Sequence, residues 1–184
     1  MQQIAICADL FRFPASQPYS DRALACLLWT LIYSNEAYLQ GSGNQVPALY
    51  DSGVYWKAEE PVPGTGACFG EGNVSEFFLG IRQVLRQGYA DCEDVASWRV
   101  AELRLGRAPA KKGLPPFPGH PEATACKMPY PLPPATGGVD CWPAFFSRRT
   151  GPQEITIHIV VIWPDGFIED PSRVLGMGGA RRYG

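Results

Sequence analysis

The chain has 184 residues, 16 basic and 18 acidic side chains, and a formal net charge of −2. That balance lacks the basic excess with which proteins grip nucleic acid or anionic lipid, so neither a nucleic acid nor a membrane is expected as a partner. The 20 glycines and 18 prolines predict many loops, while 46% hydrophobic residues argue against disorder and for one folded domain over residues 1–184.

The six cysteines are Cys7, Cys26, Cys68, Cys92, Cys126 and Cys141, and no two are spaced C-x-x-C. The two histidines, His120 and His158, complete no local zinc pattern, so neither a metal nor a cofactor is expected. The first residues carry no basic region followed by a long apolar run, and the apolar stretch 23–33 is too short to span a bilayer. No secretion signal is therefore read, and mostly free thiols in a reducing compartment such as the cytoplasm are expected.

Residues 4–13 are mostly apolar, with a break at Asp9, and stop at Pro14, which fits a short strand or an extended arm. Ser20 or Asp21 offers a helix cap, and Leu24, Leu27, Leu28, Leu31 and Ile32 recur at helical spacing over 23–40, up to Gly41-Ser42-Gly43. Residues 45–67 show no period. Their Tyr50, Tyr55 and Trp56 predict an ordered loop that packs on the body and can wall a cleft. Asn73 and Glu76 form a capping-box pattern, predicting a helix that contains Phe77, Phe78, Ile81, Val84 and Leu85 and ends at Gly88.

A second helix follows at once. Asp91 suits its N-cap, Cys92 its first position, and Asp94 the position from which a side chain reaches back to the cap. Val95, Trp98, Val100 and Leu103 form its buried side, and Gly106 ends it. Residues 113–143 carry nine of the prolines and read as an insertion in the 107–154 interval. Residues 155–163 are the clearest strand, with β-branched residues throughout. Trp163-Pro164-Asp165-Gly166 predicts a tight hairpin turn, Phe167 to Asp170 the return strand, and 173–184 a Gly-rich, weakly ordered tail. The fold class is α+β.

The hairpin carries a register. With Pro164-Asp165-Gly166 as the loop, Trp163 pairs with Phe167, Asp170 lies opposite Val160, and His158 opposite Ser172. His158 and Asp170 then share a face as diagonal neighbours. A carboxylate there would orient the imidazole, whose other nitrogen could take a proton from a thiol. Cys92, at a helix start, is the thiol so placed, because unpaired N–H groups and the helix dipole favour a thiolate. Singly, each residue has an ordinary structural explanation. Together they are the parts of a nucleophile, base and orienter set.

The segments Gly88-Tyr89-Ala90-Asp91-Cys92-Glu93-Asp94, His158-Ile159-Val160-Val161 and Asp165-Gly166 through Asp170-Pro171-Ser172 resemble the transglutaminase-like cysteine peptidase superfamily. The resemblance implies a papain-like α+β fold whose catalytic helix packs on an antiparallel sheet, here with a Pro-rich insertion. It implies Cys92 as nucleophile, His158 as base and Asp170 as orienter, acting on amide bonds of a protein or peptide by hydrolysis or transamidation. The family's oxyanion donor has no clear match. The Cys92 backbone N–H is one natural donor. Gln87 is the side-chain candidate, with Gln83 one turn before it, and Trp98 and Trp142 are further cleft or core candidates. The strings over 91–104 and 169–177 are similar to small transglutaminase-like proteins encoded among tailed-phage virion genes. That likeness implies the alternative: a head, neck or tail component located in the virion, with other virion proteins as partners and little or no catalysis.

Overall fold

A computed structural model describes residues 6–8, 18–58, 76–108, 124–125, 134–149 and 155–179. Its strands are β1 (Ile6–Ala8), β2 (Tyr55–Trp56), β3 (Glu76–Phe78), β4 (Tyr89–Ala90), β5 (Thr124–Ala125), β6 (Trp142–Arg149), β7 (Ile155–Ile162) and β8 (Ile168–Glu169). The α-helices are α1 (Pro18–Ser42), α2 (Ile81–Gln87), α3 (Cys92–Arg104) and α4 (Pro171–Val174). The architecture mixes helix and sheet, as an α+β reading requires.

Helix α3 lies at the centre, against α1 on one side and β6 and β7 on the other. Every residue from Glu93 to Arg104 is buried. The expected one-sided apolar stripe is thus only part of its packing. Leu28, Trp29 and Ile32 of α1, Val95, Trp98 and Leu103 of α3, and Ile159 and Val161 of β7 share one core. Burying each such side chain is worth about 1.5–3 kcal/mol. Charged residues on an all-round buried helix need partners, and they have them. Asp94 Oδ1 accepts the Leu79 N–H at 2.7 Å, Arg104 Nε donates to Glu36 Oε1 at 2.7 Å, and Glu102 Oε1 accepts the Leu49 N–H at 2.7 Å.

The main sheet has the order β5-β6-β7-β8 and is antiparallel throughout. Val161 faces Glu169 and Ile162 faces Ile168, which is the register expected of the hairpin. The turn closes through Gly166 N–H to Trp163 O at 2.9 Å and Trp163 N–H to Phe167 O at 2.9 Å.

Several elements differ from expectation. Glu76–Phe78 is a strand paired antiparallel with β1, not the first turn of a helix. Helix α2 starts only at Ile81, with Gly80 as its cap, and the pairing available from β1 outweighs the capping-box pattern. Gly88 does end that helix, at φ 79. Helix α1 begins earlier than expected, at Pro18. The Pro-rich interval is not all insertion, since β6 runs from Trp142 and pairs along all of β7. The residues after Asp170 are not a loose tail at first. Helix α4 buries Val174, and Leu175 O accepts the Trp56 N–H at 3.0 Å. His120, Cys68, Cys126 and residues 180–184 lie outside the described residues.

Candidate functional site

The approach to Cys92 is held by backbone pairing. Strand β2 runs parallel to β4, with Tyr55 N–H donating to Gly88 O at 3.2 Å and Lys57 N–H to Ala90 O at 3.0 Å. Between these bonds, Trp56 N–H reaches Leu175 O, just past α4. The aromatic loop therefore joins the chain entering Cys92 to the chain leaving Asp170. Asp91 is the N-cap by its extended backbone (φ −97, ψ −164) but makes no side-chain capping hydrogen bond, and Asp94 Oδ1 accepts the Leu79 N–H.

His158 and Asp170 meet as the register requires. His158 Nε2 lies 3.0 Å from Asp170 Oδ2. An ionised carboxylate only accepts, so the ring donates its Nε2–H there, and Nδ1 is left as the basic nitrogen. Asp170 is buried, and its Oδ1 accepts the Arg173 N–H at 3.2 Å, capping α4. One side chain therefore both orients the imidazole and starts a helix.

The sulfur of Cys92 reaches the same point of β7. The Trp163 N–H points toward β8, and alternation gives Val161 and Ile159 amides the same direction. Strand β8 ends at Glu169 and Pro171 opens α4, so the sheet edge beside Ile159 is not covered by a strand. There the Ile159 N–H is directed at the Cys92 sulfur and stabilises its thiolate form. Cys92 thus sits beside the peptide that joins His158 to Ile159.

The electrostatics at the sulfur run against the expected low thiol pKa. Burial pushes the Cys92 thiol well above its ordinary value, and the charges of Glu93 and then Asp91 push it further. The Cys92 thiol donates to Glu93 Oε2 at 3.2 Å. A helix start favours a thiolate, but here two neighbouring carboxylates and desolvation outweigh it. The acidic groups do not all turn to backbone amides, and Glu93 in particular faces the sulfur.

Behind the site lies a buried hub on Glu169. Its Oε1 accepts from Arg99 Nε at 2.7 Å and from the Tyr50 hydroxyl at 2.5 Å, and its Oε2 accepts from Trp163 Nε1 at 2.8 Å. The Arg99 guanidinium also lies 4.8 Å from the Tyr50 ring centroid and 3.5 Å from Glu102 Oε2. Burial, then the Glu169 charge, pushes the Tyr50 phenol well up. Burial raises the Glu102 carboxyl to about 7, against the lowering effect of Arg99.

Gln87, the side-chain oxyanion candidate, donates its Nε2–H to Tyr89 O at 2.7 Å and so secures the turn into β4. Gln83 has its Oε1 buried with no hydrogen-bond partner among the described residues. Trp98 is fully buried in the core, and Trp142 is partly buried against it. Glu93, Glu169, Arg99 and Tyr50 were not singled out as site residues from sequence. The signal for Glu93 was its adjacency to Cys92, but nothing local foretold the Tyr50–Glu169 contact across 119 positions.

No protein-family model, curated protein or solved structure matches the chain. Among the described residues Cys26, Cys92 and Cys141 form no disulfide, and no three His, Cys, Asp or Glu side chains converge as metal ligands do. No helix among them is long and apolar enough to cross a membrane.

Proposed function

We propose that the protein performs thiol-dependent acyl transfer on amide bonds through Cys92, His158 and Asp170, on a transglutaminase-like variant of the α+β fold. The observation that carries this reading is the 3.0 Å contact of His158 Nε2 with Asp170 Oδ2, beside the peptide whose N–H meets the Cys92 sulfur. His158 Nδ1 takes the thiol proton as the sulfur attacks the carbonyl carbon. His158 then returns that proton to the departing amine as the C–N bond breaks, leaving a thioester on Cys92. Water or an amine attacks the thioester, His158 again relays the proton, and a carboxylic acid or a new amide is released with the thiol restored. The Cys92 backbone N–H, at the start of α3, is the natural donor to the oxyanion. A protein or peptide supplies the amide.

A second reading has one observation in its favour. The Cys92 thiol is held protonated, as suits a virion head, neck or tail component that keeps the fold with little or no catalysis. Co-purification with phage particles, together with inert chemistry at Cys92, is its expected outcome.

p-Nitrophenyl acetate tests the chemistry without knowledge of the substrate. The expected result is a burst of p-nitrophenolate with acetyl on Cys92 by peptide mass mapping, lost in Cys92→Ala and slowed at least ~10-fold in His158→Ala. Acetyl groups spread over Cys26 and lysines, or a burst unchanged in His158→Ala, would overturn the reading.

A further inference from the structure

The charge beside the nucleophile has the wrong sign for a resting thiolate, and its placement is specific. Glu93 follows Cys92 on α3, is buried, and presents Oε2 at 3.2 Å from the sulfur. A carboxylate accepting from a thiol stabilises the neutral thiol twice, through the hydrogen bond and by repelling the thiolate. The other charge acting on the sulfur is that of Asp91 from the N-cap, and His158, paired with Asp170, immediately precedes the Ile159 whose N–H meets the sulfur. On the acyl-transfer reading, His158 Nδ1 is the group that draws the proton away.

We propose that Glu93 is a positioning residue that keeps the nucleophile latent, by holding the Cys92 thiol proton on a carboxylate acceptor in competition with His158 Nδ1. The inference rests on the acyl-transfer reading for its consequence, not for its chemistry. Acylation begins when Glu93 Oε2 gives up the thiol and the same proton passes to His158, so no proton is gained or lost by the pair. Glutamine at position 93 keeps the size and an acceptor oxygen but removes the charge, which isolates the effect.

Iodoacetamide labelling across pH 6 to 10 tests it on the full chain, with Cys92 followed by peptide mapping and exposed Cys26 as internal reference. Glu93→Gln is expected to lower the pH midpoint of Cys92 labelling by about one unit or more, and to raise its rate at pH 7 by about tenfold, with Cys26 unmoved. An unchanged or higher Cys92 midpoint in Glu93→Gln overturns the proposal. His158→Ala in the Glu93→Gln background separates the two readings. A midpoint that climbs back supports both, whereas one that stays low overturns His158 as the thiol's base and leaves the role of Glu93 standing. An infrared measurement does not depend on the Glu93 variant folding. The S–H stretch assigned by a Cys92→Ala difference spectrum is expected below that of Cys26 at neutral pH, and the absence of a Cys92 S–H band would overturn the proposal.

Discussion

Arg99 Nε meets Glu169 Oε1 at 2.7 Å in the interior, and this ion pair ties together the two halves of the candidate site. Arg99 lies two turns along α3 from Cys92, and Glu169 immediately precedes Asp170. The hub it anchors sets the helix that opens with Cys92 against the hairpin that carries His158. Removing one partner leaves a buried charge unmatched, so Arg99→Met and Glu169→Gln are each expected to cost about 3–5 kcal/mol. The double variant should cost less than the sum, since neither partner of the pair is left facing the other's absence. Urea unfolding of the four proteins completes the cycle, and strict additivity would count against a coupled pair.

Asp170 has two roles that different variants divide. Asp170→Ala removes the α4 cap and should cost about 1 kcal/mol of stability. Asp170→Asn retains an acceptor for the Arg173 N–H but weakens the hold on the Nε2–H tautomer of His158. Nitrogen NMR of the imidazole is expected to show the Nε2–H form dominant in the unmutated protein and depleted in both variants. The p-nitrophenyl acetate burst should slow at least ~10-fold in each. A tautomer ratio indifferent to both substitutions would sink the orienter role.

Glu102 makes stability depend on pH with a definite sign. Its carboxyl is raised from 4.5 to about 7 in the folded protein. Between those values the folded state keeps a proton that the unfolded chain has lost. This contribution is complete below pH 4.5 and disappears as pH rises through 7. Relative to Glu102→Gln, the unmutated protein should lose about 3 kcal/mol between pH 4.5 and pH 8. Parallel stability curves for the two proteins over that range would contradict the raised carboxyl.

Gly138 packs where α3 ends. A Cβ there would lie 1.9 Å from Leu103 O and 2.5 Å from Gly106 N, both backbone atoms that cannot step aside. The next residue donates its N–H to that same Leu103 carbonyl at 2.9 Å. Gly138→Ala is expected to cost at least about 1–3 kcal/mol by thermal or chemical unfolding. A variant as stable as the parent would mean that this approach is looser than described.

Local chemistry explains which expectations held. The β7–β8 hairpin was legible because Pro164-Asp165-Gly166 leaves little choice of loop, and the period of two then places His158 and Asp170 on one face. The start of α3 was legible from Asp91-Cys92. The strand at Glu76–Phe78 was not, because its partner β1 lies about seventy residues earlier and a capping-box pattern is only a local preference. Strand β6 was hidden by the prolines around it, although Pro143 sits within the paired strand opposite Val161.

The amino-acid order by itself determined the mixed α+β class, the helix opened by Cys92, and the register that joins His158 to Asp170, since each follows from short-range turn and cap chemistry. Only the tertiary structure decided what surrounds the sulfur. It buried α3 on all sides, ended β8 so that the Ile159 N–H meets Cys92, and turned Glu93 toward the thiol. Desolvation and the proximity of charges depend on how distant segments pack, so the expected thiolate became a thiol held on a carboxylate.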